Sequence, residues 1–330
     1  MPIGTPLSMA RLIILATLGI QGTAAASLRR AGSTGADGAH LGTNAKQATE
    51  VPEHVRSFLC KYGKQASLRQ DALQMLLQYE PQAQNETEAT KGLVQRVLEA
   101  KKCAVVSSSG VLLEHKYGPL IDAADLVLRF NDAPVGGEWS ESVGSRDDIR
   151  ILNHKSFNQF HATASNAEVI YLLNRNFRTD SLTQTMIHMW AKRFPNLHFS
   201  FSNEEVLMGS GKQMLLDYYP EMYNTLGEKE VPTTGYYGVM LMMTLCDEVA
   251  AYGFPDSKSS HEAPFHYYGS LAKGSASINV EDVHRSFAPH EKLFYDAMAL
   301  NSQPNVTDLA VLPGFAGLQC DAAQPAGLSA

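Results

Sequence analysis

The strongest limit on how this chain can fold is an alternation, kept up from Cys103 to Val249, between short apolar runs and stretches of helical period. At Cys103–Val106 a β-branched run breaks into Ser107, Ser108, Ser109 and Gly110, which reads as a buried parallel strand ending in a tight turn. Further strands are expected at Leu126–Phe130, Ile149–Leu152, Val169–Leu173 and His198–Phe201, with helical patterns over Thr183–Phe194 and Tyr236–Val249. Upstream, Leu68, Leu73, Leu76 and Leu77, then Leu93, Val94, Val97 and Leu98, recur at three and four and give two amphipathic helices between Ser57 and Leu98. Strands and helices taken in turn argue an α/β fold, a Rossmann-like, doubly wound and mainly parallel sheet flanked by helices. Such sheets take ligands where strands end at their carboxyl side, so the Ser107–Gly110 turn is the first place to look. The turn lacks Gly-x-Gly-x-x-Gly, and no Gly-x-x-x-x-Gly-Lys-Ser/Thr follows, so pattern alone gives only a generic nucleotide-binding possibility.

With 330 residues the chain can bury a sizeable core, and length alone does not choose between one α/β domain and two. Lys and Arg number 27 against 34 Asp and Glu, a net charge of -7, with no basic block to neutralise a row of phosphates, so no nucleic-acid partner is expected. Residues 1–27 read as a signal peptide or a signal anchor. Arg11 precedes the apolar run Leu12–Ile20, and Gln21, Gly22 and the small residues Ala24–Ser27 follow. The short run and an Ala-x-Ala-like site fit cleavage, whereas an anchor needs the weakly apolar residues up to Ala26 to approach membrane length. Residues 28–50, rich in Gly, Ala, Ser and Thr without periodicity, read as a flexible stem, which leaves 51–330 as the folded domain.

The four cysteines, Cys60, Cys103, Cys246 and Cys320, have no Cys-x-x-Cys spacing and no His pair at metal-ligand distance, so two disulfides fit better than zinc. Three pairings are open, and each would close loops long enough to stabilise by roughly 4 to 5 kcal/mol in the chain-entropy model. Disulfides presuppose an oxidising compartment. The sequons at Asn85 and Asn305 agree with glycosylation there, although such triplets are common by chance.

The segment Cys103–Gly110, continued by Ile121-Asp122, Asp125, Leu128–Pro134, Val143-Gly144 and Ile149–Asn153, closely resembles the long sialylmotif of animal-type sialyltransferases, glycosyltransferase family 29. Pro232–Gly235, running through Met242–Val249 to Tyr252–Phe254, is similar to the short sialylmotif. His266–Gly269 resembles the third motif, and His284 with Glu291 the last. Leu312–Phe315 with Cys320 resembles the ending of β-galactoside α2,6-sialyltransferases, the group most similar to this sequence. One departure stands out. The family's last motif separates His from Glu by four residues, and here six lie between His284 and Glu291, so either the loop carries an insertion or His290 takes the place of His284.

The resemblance implies a variant of the GT-A type sialyltransferase fold. It also implies a lumenal catalytic domain carried on a single-pass type II Golgi membrane protein, with CMP-sialic acid as donor, a glycan as acceptor and no cofactor. Transfer would be inverting and metal-independent, and no Asp-x-Asp occurs to bridge nucleotide phosphates through a cation. Loss of CMP leaves an oxocarbenium-like sugar and puts charge on the departing phosphate, so donors are needed at that phosphate and a base at the acceptor hydroxyl. The carry-over assigns the phosphate to Thr233, Thr234 and Gly235 ahead of a helix, and to His266. His284 is the general base, Ser108, Asn131 and Asn153 hold the donor, and Lys292 contacts substrate or solvates a helix. It also pairs Cys103 with Cys246 and Cys60 with Cys320. Two other readings stay open: a CMP-sugar transferase with a different acid sugar such as Kdo, and a non-catalytic lumenal glycan-binding relative.

Overall fold

A computed structural model describes residues 50–62, 88–153, 167–173, 181–194, 197–201, 210–222, 232–254, 263–264, 266–268, 288–300, 308–318 and 320. In chain order the elements are α1 (Glu53–Leu59), α2 (Glu88–Glu99), β1 (Lys102–Val106), α3 (Gly118–Asp122), β2 (Leu126–Phe130), α4 (Ser140–Val143), β3 (Ile149–Asn153) and β4 (Val169–Leu173). Then come α5 (Ser181–Arg193), β5 (His198–Phe201), α6 (Ser210–Tyr218), α7 (Thr234–Leu245), β6 (Glu248–Tyr252), α8 (Ala288–Met298) and β7 (Leu309–Pro313). The strands make one seven-stranded sheet in the order β5-β4-β3-β2-β1-β6-β7. All neighbours are parallel except β6 and β7, so the doubly wound, mainly parallel sheet expected from the alternation is what forms.

Burial explains why these short runs become strands. Every residue of β2 is buried, including Arg129, because parallel strands are covered on both faces. The larger apolar cluster joins Val105, Leu128 and Ile151 to α1, α2, α6, α7 and α8, while the smaller joins Ala104, Val106 and Val127 to Ile121, Val143 and Tyr267. Helix α7 is buried almost all round, as an apolar helix must be when it lies under a sheet. It can approach β2 because Gly238 has no side chain, and a Cβ there would stand 2.4 Å from Phe130 Cζ.

Sequence and structure part company at the end of α7. The helical pattern over Tyr236–Val249 overruns, since the helix stops at Leu245, Cys246 is its C-cap, and Glu248–Tyr252 leaves as β6. Strands β6 and β7 were not among the expected ones. The other five fall within a residue of expectation.

Two disulfides are present, Cys60–Cys320 and Cys103–Cys246, the pairing the resemblance implies. The second ties the start of β1 to the end of α7, both buried. The amino-terminal segment, the Leu68–Leu77 helix, both sequons and His284 lie outside the described residues. No described helix is long and apolar enough to cross a membrane.

Candidate active site

The strand order runs outward from β1 to β5 and resumes at β6 on the other side of β1, so the switch point lies between the carboxyl ends of β1 and β6. There the Ser107 N–H donates to the Tyr252 carbonyl at 3.0 Å and the Ser107 hydroxyl donates to the Gly253 carbonyl. The Ser108 carbonyl is spent on the neighbouring segment. It accepts from the Tyr267 N–H at 3.0 Å and pairs with His266 Nδ1 at 3.4 Å. A carbonyl can only accept, so this contact puts the imidazole proton on Nδ1 and makes Nε2 the basic nitrogen. Burial holds the His266 imidazole below its ordinary value, opposed by the Ser108 carbonyl and by Asp132. Its ring stacks on Tyr268 at 5.1 Å and 7°, and the Tyr268 hydroxyl donates to Asp132 at 3.1 Å.

Beyond β2 the chain turns at Asn131, whose φ of 50° is one that asparagine tolerates better than most residues. Its side-chain oxygen accepts from the Asn153 N–H at 3.2 Å, which joins the ends of β2 and β3. That contact leaves the Asn131 amide nitrogen to donate elsewhere. Buried Arg150 donates to the carbonyls of Asn131 at 2.7 Å and Ala133 at 2.8 Å, and Tyr267 donates to that of Pro134. The loop 131–134 is therefore clamped between β3 and the His266 segment.

The third part is the start of α7. Thr233 is the N-cap, and its hydroxyl accepts from the Tyr236 N–H at 3.1 Å. Gly235 lies close to the Phe254 ring, with a Cβ there 2.9 Å from Cε1, and Phe254 meets Phe130 edge-on at 6.5 Å. The helix start is thus fixed against the carboxyl ends of β2 and β6. The first intrahelical bond runs from the Tyr237 N–H to the Thr233 carbonyl, so the amides of Thr234 and Gly235 have no acceptor within the helix.

Glu291 changes the expected phosphate set. From the first turn of α8, where it is 4% exposed, it accepts from the Thr233 N–H at 2.7 Å and from the Thr233 hydroxyl at 2.6 Å. Thr233 is accordingly engaged by protein, and the amides of Thr234 and Gly235 are the ones left without an acceptor among the described residues. Burial is the largest influence on the Glu291 carboxyl and pushes it up to about 7, against the two Thr233 hydrogen bonds. The resemblance named Glu291 in the last motif without giving it a role, and Phe294, Tyr295 and Met298, following it at three, four and seven, set it on the buried stripe.

Lys292 pairs with Asp296 one turn along α8, and His290 packs edge-on against Tyr219 at 5.4 Å. Among the described residues no group of three His, Cys, Asp or Glu could hold a metal ion. The structure brings Ser108, His266, Asn131, Asn153 and the start of α7 to one edge of the sheet. Such an edge can hold an anion on helix amides beside an imidazole, with amides to meet a sugar or base.

This chain is thus a doubly wound α/β protein whose polar loops collect where such sheets take ligands. It belongs to glycosyltransferase family 29 (sialyltransferase), whose model matches residues 43–300. Among curated proteins it is 28% identical over 199 residues to the CMP-N-acetylneuraminate-beta-galactosamide-alpha-2,3-sialyltransferase 1 of Sus scrofa, covering 58% of this chain and 54% of that one. It is 27% identical over 244 residues to the human beta-galactoside alpha-2,6-sialyltransferase 2, covering 68% and 44%. The chain spans about half the length of these relatives. A crystal structure of a mammalian sialyltransferase is similar at 24% identity and a TM-score of 0.41, over 75% of this chain and 83% of that one.

Proposed function

We propose that the chain transfers sialic acid from CMP-sialic acid to a terminal galactoside of a glycoprotein or glycolipid glycan, with inversion and without a metal. In this reading the domain works in the Golgi lumen, held to the membrane by its amino-terminal segment as a single-pass type II protein. The observation that carries it is the gathering of the Ser107–Gly110 turn, His266 and the start of α7 at one switch point in a chain of this family.

The bond from the anomeric carbon to the phosphate oxygen breaks, and the charge it leaves falls to the Thr234 and Gly235 amides and to His266, whose Nε2 takes up a proton when the anion binds and donates it to a phosphate oxygen. Asn131 and Asn153 meet the nucleotide. The acceptor oxygen attacks the opposite face, and its proton passes to His284 as general base. The leaving group carries a single phosphate, which helix amides and an imidazole can hold without a cation.

The test incubates the full chain with CMP-sialic acid and N-acetyllactosamine and scores CMP release and product linkage, with and without EDTA. Transfer that survives EDTA is expected, and a loss restored by Mn²⁺ would overturn the metal-free route. His284→Ala should abolish transfer and leave CMP binding nearly intact. If His290→Ala does this instead, the base is His290.

A further inference from the structure

We propose that Glu291 is a positioning residue for the anion cradle at the start of α7, and that it takes up a proton through its contact with Thr233 when the phosphate binds. The inference rests on the donor-site reading above and adds the linkage between that site and a buried acid behind it.

Both carboxyl oxygens of Glu291 are committed to one residue. Oε1 accepts the Thr233 N–H, and Oε2 lies 2.6 Å from Thr233 Oγ1, which itself accepts the Tyr236 N–H at 3.1 Å. With the carboxyl ionised, the threonine hydrogen has to point at Glu291, and a negative charge stands one residue behind the amides of Thr234 and Gly235. With a proton on Oε2 the roles reverse. The carboxylic acid donates to Thr233 Oγ1, and the threonine hydrogen is released to turn elsewhere. The same atoms therefore support two arrangements, and only the second gives a neutral acid and one more hydroxyl donor at the helix start. A phosphate selects it, because like charges in a poorly solvated site raise the cost of ionisation and the released hydroxyl adds a hydrogen bond.

The neighbouring groups leave this balance to Glu291. Tyr236 of α7 and Tyr295 of α8 face it, and burial drives both phenols far above their ordinary value, so they stay neutral. The Tyr295 hydroxyl is buried and has no hydrogen-bond partner among the described residues. On α8 itself, His290 lies against Tyr219 and Lys292 against Asp296. Beyond Tyr236 the Tyr62 hydroxyl donates to Asp217 of α6, and β7 brings no ionisable side chain. The upward push on Glu291 from burial keeps both arrangements populated near neutral pH.

The test titrates CMP into the full chain by calorimetry at pH 7 in buffers of different ionisation enthalpy, which reads protons taken up per CMP bound. Titration of CMP itself is common to every variant and cancels in the difference. Wild type should take up about half a proton more than Glu291→Gln. Thr233→Ser should keep this uptake and Thr233→Ala should lose most of it. Equal uptake by wild type and Glu291→Gln, both binding CMP, overturns the proposal and leaves the donor-site reading standing. Should Glu291→Gln fail to fold, the Thr233→Ser and Thr233→Ala pair decides, and equal uptake there is equally fatal. A wild type that binds no CMP overturns the proposal and the donor-site reading together.

Discussion

At the scale of single residues, stability and ligand binding meet at Glu291. Burial pushes its carboxyl up to about 7 from an ordinary 4.5. Between those values the folded protein holds a proton that the unfolded chain has lost. The contribution is therefore complete below pH 4.5 and disappears as pH rises through 7, a swing of roughly 3 kcal/mol. Melting temperatures followed from pH 5 to 8 should fall with rising pH in wild type and flatten in Glu291→Gln. Parallel curves would show that Glu291 titrates normally. The strand-end turn at Ser107–Gly110, the turn at Asn131 and the N-cap at Thr233 were legible in the sequence as local structure. Glu291's hold on Thr233 was not, because the apolar spacing after Glu291 marks its burial but says nothing of a partner 58 positions away.

At the scale of elements, α7 is the part on which the site depends. Its place under β2 relies on the missing side chain at Gly238, and Gly238→Ala must push Phe130 aside, with an expected loss of about 1 to 3 kcal/mol in denaturant unfolding. An unchanged midpoint would mean that the helix can slide. Gly235→Ala instead crowds Phe254 at the helix start, so it should weaken CMP binding about tenfold with a smaller effect on stability than Gly238→Ala. The five strands from β1 to β5 could be read directly from the sequence, since apolar runs bounded by breakers leave little choice. Strand β6 could not, because the helical period of α7 continues smoothly through Cys246 to Val249. What ends the helix is tertiary, the pairing of Glu248–Tyr252 with β1 on one side and β7 on the other.

At the scale of the whole molecule, two covalent ties close long stretches of chain, with sequence separations of 143 and 260 residues. Each is worth about 5 kcal/mol in the chain-entropy model, so reduction should lower the melting temperature far more than any surface substitution. A chain that melts at the same temperature with and without reductant would contradict this. The Cys103–Cys246 bond sits at the end of α7 away from the site, which assigns it to stability and leaves binding to the loops at the opposite edge of the sheet. The most direct measurement is a crystal structure with CMP bound. The account predicts phosphate oxygens within hydrogen-bond distance of the Thr234 and Gly235 amides and of a protonated His266 Nε2, with the nucleotide beside Asn131 and Asn153. A phosphate lodged anywhere other than the β1/β6 switch point would contradict it.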